Sequence, residues 1–125
     1  MKHIHGYYSP KDLYNSIIEG LKKVGKDLSR VTLDDLQPVD EFHIRGDVAT
    51  KELIKLANFT PEMHILDVGC GVGGSTRRLS HRTGCCVTGI DLSDEYIDAA
   101  DKLTRLLGMQ ERVRFHAASA LDLPF

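Results

Sequence analysis

Residues 67–74, which read DVGCGVGG, decide the fold of this chain. Three of their glycines, Gly69, Gly71 and Gly74, have the spacing GxGxxG. The stretch follows an apolar segment, MHILDV, that is typical of a buried strand, and it precedes a segment, STRRLSHR, that is typical of a helix. Glycine in such a turn allows positive φ and lets backbone N–H groups approach a ligand closely. The stretch therefore predicts a ligand-binding loop at the edge of a parallel sheet.

Strands and helices continue to alternate after this loop. A second strand, CVTGID, ends at Asp91, and a helix follows from about Asp94 to Leu107. Ser93 can cap the start of this helix and Gly108 can end it, after which RVRFHA forms a third strand. This order predicts an α/β fold with a Rossmann-like parallel sheet, right-handed crossovers and strand order 3-2-1.

The residues before the loop have a helical pattern. A first helix is expected to stop at Gly25, and a short helix through VTLDDL is expected to end before Pro38. The segment PVDEFHIRGD is predicted to be a loop, and VATKELIKLAN a helix that packs on the sheet. We therefore predict an N-terminal helical segment with a loop at residues 1–45 and a partial sheet domain at residues 46–125.

Composition and charge exclude several classes of partner. The 125 residues carry 16 basic and 18 acidic side chains, a formal charge of −2, without the basic patch of a nucleic-acid-binding protein. No apolar run is long enough to cross a membrane. The three cysteines, Cys70, Cys85 and Cys86, fit neither a disulfide framework nor the ligand spacing of a metal site. We expect a cytoplasmic protein with no metal site, no nucleic-acid partner and no membrane partner.

Two acidic residues define the expected ligand. Asp91 ends the second strand 22 positions after Gly69, where a carboxylate can accept both hydroxyl groups of an adenosine ribose. Asp67 ends the first strand, where a carboxylate would repel a pyrophosphate but not a zwitterionic amino-acid group. Asp67 therefore favours an ammonium-bearing ligand over a dinucleotide.

Three stretches together resemble the cofactor-binding motifs of one enzyme family. LDVGCGVGG, GIDLS and SALDLPF look like the first, second and third motifs of class I S-adenosylmethionine-dependent methyltransferases. The resemblance runs from about Val39 to Phe125 and is to the small-molecule branch, which contains ubiquinone-biosynthesis and sarcosine/dimethylglycine methyltransferases. It implies S-adenosylmethionine as cofactor and methyl transfer to a small-molecule acceptor.

The resemblance also implies roles in binding the methionine part of this cofactor. The loop from Gly69 to Gly73, including Cys70 and Gly71, would lie against that part. Asp67 would support the loop or meet the ammonium group through water.

Further roles follow for the carboxylate and adenosine parts of the cofactor. Arg45, in the covering loop EFHIRG, would bind the cofactor carboxylate. Asp91 would hold the ribose hydroxyls and Leu92 would pack on the adenine. Ala120 would offer its backbone near the adenine edge, and Ser119 stands where many relatives have an aspartate that accepts a hydrogen bond from the adenine amino group.

Two side-chain types in this region have other interpretations. Cys70 lies inside the loop, but no histidine is placed by sequence to activate it, so we interpret it as a small loop residue. Arg77 and Arg78 could form an anion site, but a solvated polar face of the helix is the favoured interpretation.

Two alternatives to a methyltransferase remain open. The first is a nicotinamide-dependent oxidoreductase fragment, and the second is a non-catalytic half-domain that binds a ligand or oligomerises. The sequence contains the first half of a doubly wound sheet, so we expect the acceptor-binding half to be absent and the isolated chain to be inactive. No catalytic residue is identifiable.

The exposed edge of the first strand predicts a homodimer.

Overall fold

The structure is a computed structural model that describes residues 10–40 and 46–125. These residues form a three-stranded sheet and the helices that pack with it. The elements are α1 (Pro10–Lys23), α2 (Leu33–Asp40), α3 (Gly46–Ala57), β1 (His64–Val68), α4 (Gly74–Thr83), β2 (Cys86–Asp91), α5 (Asp94–Leu106) and β3 (Val113–Ala117), with a turn of 3₁₀ helix at Leu28–Arg30. No helix in the described residues is long and apolar enough to cross a membrane.

The sheet is parallel, with β2 between β1 and β3. Val68 of β1 lies opposite Ile90 of β2, and Asp91 of β2 lies opposite Ala117 of β3. The order is the predicted 3-2-1 order read from the other edge, and the predicted α/β class is confirmed. Because all three strands run the same way, their carboxyl ends meet at one edge of the sheet.

The described helices pack on the sheet and on one another. Both crossover helices, α4 and α5, lie on the same face, as right-handed crossovers in a sheet that grows in one direction require. Of the other helices, α1 packs on α5, while α2 and α3 pack on α4. The glycine loop therefore leads into α4, a helix on which two further helices pack.

Two apolar clusters stabilise this packing. The first joins α1, α2 and α5 with one residue of the glycine loop, and consists of Ile17, Ile18, Leu21, Leu36, Val72, Ala99 and Leu103. The second lies between α3, α4 and the sheet, and consists of Leu79, Cys85 and Val87 with Ile54, Phe59 and Ile65 packed against it. Since Val72 is fully buried in the first cluster, the loop is anchored in the core.

The ends of α5 follow the sequence signals. The Ser93 side chain accepts a hydrogen bond from the backbone N–H of Tyr96 at 3.2 Å and caps the helix. Asp94 is in the first turn, where a negative charge interacts favourably with the helix dipole. Gly108 follows the last turn with φ of 71°. The cap and the stop are confirmed, and the helix ends one residue before the predicted Leu107.

The helix boundaries around Pro38 were predicted wrongly. Helix α2 passes through Pro38 and reaches Asp40, and α3 begins at Gly46, within the segment expected to be a loop. Proline in a helix removes one N–H bond to residue i−4, which usually costs about 3 kcal/mol. Here Leu36, from the same helix, is fully buried in the first cluster, so packing outweighs that loss.

The packing face of α3 also differs from the sequence prediction. The apolar residues of this helix were expected to pack on the sheet, but Leu53 and Leu56 are 49% and 83% exposed. Ile54 makes the contact with the second cluster instead. Leu53 and Ile54 are neighbours in the chain and therefore point to different sides of the helix, and it is the side of Ile54 that faces the cluster.

Candidate functional site at the carboxyl edge of the sheet

The glycine loop turns sharply between β1 and α4. Gly69, Gly71 and Gly73 have φ of 73°, 58° and 89°, in the left-handed region that favours glycine. Gly73 is the N-cap of α4, and Gly74 is the first residue of that helix. The predicted loop is confirmed, with Gly73 rather than Gly74 as its third left-handed glycine.

The loop is hydrogen-bonded to the end of β2. The backbone N–H groups of Gly69 and Cys70 both donate to the Ile90 carbonyl, at 2.8 and 3.0 Å. Within the loop, the N–H of Gly73 donates to the Cys70 carbonyl at 3.0 Å. These bonds place the loop directly beside the carboxyl ends of β1 and β2.

The Asp91 carboxylate is held by two backbone amides. Its Oδ2 accepts a hydrogen bond from the N–H of Gly71, and its Oδ1 accepts one from the N–H of Ser93, both at 3.0 Å. An ionised carboxylate has about four acceptor positions, so both oxygens can accept further hydrogen bonds. Asp91 is therefore a fixed pair of acceptors that joins the glycine loop to the start of α5.

The Asp67 carboxylate faces the start of α4. Its Oδ2 accepts hydrogen bonds from Ser75 Oγ at 2.7 Å and from Thr76 Oγ1 at 2.9 Å. Both partners follow the loop immediately, so Asp67 connects the end of β1 to the first turn of the helix. Sequence reasoning did not identify Ser75 and Thr76, although two hydroxyl residues at the start of a helix were a usable signal.

Cys70 points into the protein, away from solvent. A Cβ added to Gly89 of β2 would lie 2.9 Å from the Cys70 sulfur, so the thiol fills the space that this glycine leaves. Burial, with smaller contributions from the charges of Asp67 and Asp91, raises the pKa of the Cys70 thiol to about 12. The neutral thiol is a poor nucleophile, which agrees with its interpretation as a small loop residue.

We expect the cysteines to differ strongly in reactivity. At pH 8 about one Cys70 thiol in ten thousand would be ionised, because its pKa is about 12. Cys85 is also buried, whereas Cys86 is exposed. Alkylation with iodoacetamide followed by peptide mass spectrometry should modify Cys86 first. Labelling of Cys70 at a comparable rate in the folded chain would contradict the burial described here.

An open cleft of about 300 Å³ lies beside the loop at the carboxyl ends of the strands. It is lined by Val68, Gly69, Ile90, Asp91, Leu92, Ala118, Ser119 and Ala120. Five of these are residues predicted from the sequence, namely Gly69, Asp91, Leu92, Ser119 and Ala120. The others, Val68, Ile90 and Ala118, were missed, although two of them directly precede Gly69 and Asp91.

The remaining predicted residues are placed differently. Cys70, Gly71 and Gly73 belong to the loop beside the cleft but are buried. Asp67 is half-buried and braces α4. Arg45 lies outside the described residues.

Residues 65–125, which contain the loop, Asp91 and the whole cleft, match the family described as a methyltransferase domain. Over these residues the chain is similar to a methyltransferase domain. The matched residues include all three motifs, which lie along one edge of the sheet.

Named methyltransferases are similar to this chain over parts of their length. A geranyl diphosphate 2-C-methyltransferase from Saccharopolyspora erythraea is 40% identical over 70 residues, which are 56% of this chain and 25% of that protein. An O-methyltransferase from Pyrenophora dematioidea is 29% identical over 118 residues, which are 94% of this chain and 42% of that protein.

A solved structure has the same arrangement. A geranyl diphosphate methyltransferase in complex with SAM matches 74% of this chain and 37% of its own length, with a TM-score of 0.61 and 31% identity. The chain thus spans between a quarter and about two fifths of the length of these relatives.

Proposed function

We propose that this chain is the S-adenosylmethionine-binding part of a methyltransferase that transfers a methyl group to a small-molecule acceptor. The proposal depends mainly on Asp91, whose carboxylate is fixed by two backbone amides at the wall of the cleft. Fixed acceptors at the carboxyl end of the second strand suit the two hydroxyl groups of a ribose.

The residues around the cleft fit an adenosine group. Leu92 is exposed at the cleft, where its side chain is free to pack on an adenine face. Ser119 Oγ already accepts a hydrogen bond from the N–H of Leu121 at 3.1 Å, so its own O–H is left to donate and one lone pair to accept. Ala120, exposed beside it, would offer its backbone to the adenine edge.

The loop suits the methionine part of the cofactor. A Cβ added to Gly69 would meet nothing within 4 Å, so the space over this exposed glycine is open to a ligand. The buried residues Cys70, Gly71 and Gly73 would contribute backbone. We assign Asp67 to loop support, since its Oδ2 is bonded to α4, and Arg45 to the cofactor carboxylate as the family resemblance implies.

When bound, the sulfonium group of S-adenosylmethionine supplies an activated methyl group. The task of this chain would be to hold the ribose through Asp91, to seat the adenine beside Leu92 and Ser119, and to keep the loop amides in place. Orientation of this kind accounts for a large part of the barrier reduction in group transfer. No general base is assigned to the chain, and we expect the isolated 125 residues to be inactive.

The two alternative functions have no support among the similar proteins. The relatives described above are named for methyl transfer, one to carbon and one to oxygen. The class of acceptor is proposed as a small molecule, and the atom methylated is left open.

Titration calorimetry of the 125-residue chain with S-adenosylmethionine, and separately with NAD, tests the proposal. We expect saturable binding of S-adenosylmethionine, and NAD binding at least about tenfold weaker, a difference of ~1.4 kcal/mol. Equal or tighter binding of NAD would support the nicotinamide alternative. A folded chain that binds neither would not be a preformed cofactor-binding part.

The expected assembly and location remain predictions. A homodimer through β1 is supported by the position of this strand at an edge of the described sheet, and light scattering tests it. The cytoplasmic location, the lack of a nucleic-acid partner and the division at residue 45 rest on the sequence.

A further inference from the structure

Arg77 is a fully buried arginine in α4, with 0% of its surface exposed. Its guanidinium reaches across to α5, where Nη1 donates to Thr104 Oγ1 at 3.0 Å and to the Ala100 carbonyl at 3.3 Å. Thr104 is itself fully buried. The predicted solvated position of this side chain is therefore wrong. A guanidinium is costly to bury, and hydrogen bonds of this kind offset the cost.

The same guanidinium lies against Gly73, the last residue of the glycine loop before α4. A Cβ added to Gly73 would lie 2.8 Å from Arg77 Nη1 and 2.6 Å from Cζ of Phe115 in β3. The backbone N–H of Arg77 also donates to the Gly73 carbonyl at 2.9 Å. Arg77 thus contacts Gly73 through both its backbone and its side chain, and the Nη1 atom that lies against Gly73 is also the one that is hydrogen-bonded to α5.

The next residue offers a matched comparison. Arg78 is also buried, with 2% exposed, so the prediction of a solvated face is wrong here too. Its side chain points toward α2 instead, where Nη2 donates to the Leu33 carbonyl at 3.3 Å and Nη1 lies 4.0 Å from Asp34 Oδ1. Two neighbouring arginines therefore connect α4 to different elements, and Arg77 is the one whose contacts described here include the loop.

We propose that Arg77 is a positioning residue for the cofactor loop. Its guanidinium is hydrogen-bonded to Thr104 and to the Ala100 carbonyl. In this position it contacts Gly73 and so fixes the loop amides beside the cleft. A leucine or methionine could fill the same volume, but it would lack the hydrogen bonds that fix the position of the support relative to α5. This inference rests on the proposed function for its effect on cofactor binding, but not for its effect on the loop itself.

Two pairs of variants test the proposal, each with a control of the same chemistry. Arg77→Met is compared with Arg78→Met, which removes a buried guanidinium from the contact with α2. Thr104→Val is compared with Thr88→Val, which removes a buried hydroxyl that contacts His64 Nε2 at 2.8 Å on the sheet. Thr104→Val is nearly isosteric, so it remains informative if Arg77→Met fails to fold.

Residue-level hydrogen exchange measured without cofactor is the first readout. The exchange rates of the Gly71 and Gly73 amides are each divided by the rate of the Val87 amide in the sheet. We expect this ratio to be about tenfold higher in Arg77→Met than in Arg78→Met, which corresponds to ~1.4 kcal/mol of local opening. Thr104→Val should raise the same ratio about threefold over Thr88→Val. If Arg77 and Thr104 only stabilised the fold, the exchange ratio would change by the same factor in both members of each pair, and that result would overturn the proposal.

Affinity for S-adenosylhomocysteine, measured by calorimetry, is the second readout. The affinity should fall about tenfold in Arg77→Met and about threefold in Thr104→Val, and stay within about twofold in the two controls. If the unmodified chain binds no cofactor, the proposed function fails, and hydrogen exchange still decides whether Arg77 positions the loop. Unchanged affinity in a folded Thr104→Val variant with unchanged loop exchange would exclude the positioning role.

Discussion

Replacing Gly73 by alanine is expected to destabilise the fold by roughly 2–4 kcal/mol, from backbone strain and overpacking together. Gly73 has φ of 89°, where an L side chain costs about 1–2 kcal/mol. The new Cβ would also lie 2.6 Å from Phe115 Cζ and 2.8 Å from Arg77 Nη1. Because both neighbours are ring or guanidinium atoms inside the structure, neither can move away without disturbing β3 or α5. Urea denaturation of the purified variant measures the loss.

Gly108→Ala is the matched control for this variant. Gly108 also has a left-handed backbone, with φ of 71°, but a Cβ there would meet nothing within 4 Å. Its substitution should cost only the backbone strain, about 1 kcal/mol. Equal losses in the two variants would show that the contacts of Gly73 with Phe115 and Arg77 contribute nothing to stability.

Asp91→Asn is expected to weaken the binding of S-adenosylmethionine about 100-fold, or ~2.7 kcal/mol. An asparagine keeps the shape of the side chain but has one acceptor oxygen, and its NH₂ group cannot accept hydrogen bonds. One of the N–H groups of Gly71 and Ser93 would then face another donor, and at least one of the acceptors proposed for the ribose hydroxyls would be lost. Calorimetric titration of the variant measures the change.

Asp101→Asn is the control for loss of a carboxylate. Asp101 lies on the exposed side of α5, where it pairs with Arg105 at 3.1 Å, and such a pair contributes about 0.3–0.5 kcal/mol. Its cofactor affinity should equal that of the unmodified chain. An Asp91→Asn variant that is folded and binds within about threefold of the unmodified chain would remove Asp91 from the proposed site.

Much of the fold is encoded in short stretches of sequence. The strands and α5 were predicted to within about one residue, because their apolar periodicity and the Ser93 cap act over a few neighbouring positions. The glycine loop could also be read from a short stretch of sequence, and Asp91 was recognised by its position 22 residues after Gly69. Parallel strands connected by right-handed crossovers bring such strand ends to one edge, so the position of the cleft followed from the order of the elements.

Only the tertiary structure decided what the polar side chains near the loop contact. The direction of Asp67 toward Ser75 and Thr76 depends on how α4 begins, and helical periodicity alone does not specify it. The burial of Arg77 and Arg78 depends on α5 and α2, whose packing against α4 is a contact between residues far apart in the chain.

The sequence by itself therefore determined the class of fold, the strand order, the loop and five residues of the cleft, because each depends on patterns that act over a few residues or on chain topology. The tertiary structure decided which polar groups brace the loop, how far α2 extends past Pro38, and which residue of α3 packs. Those features depend on the balance between burial and hydrogen bonding among elements that meet only in the folded chain.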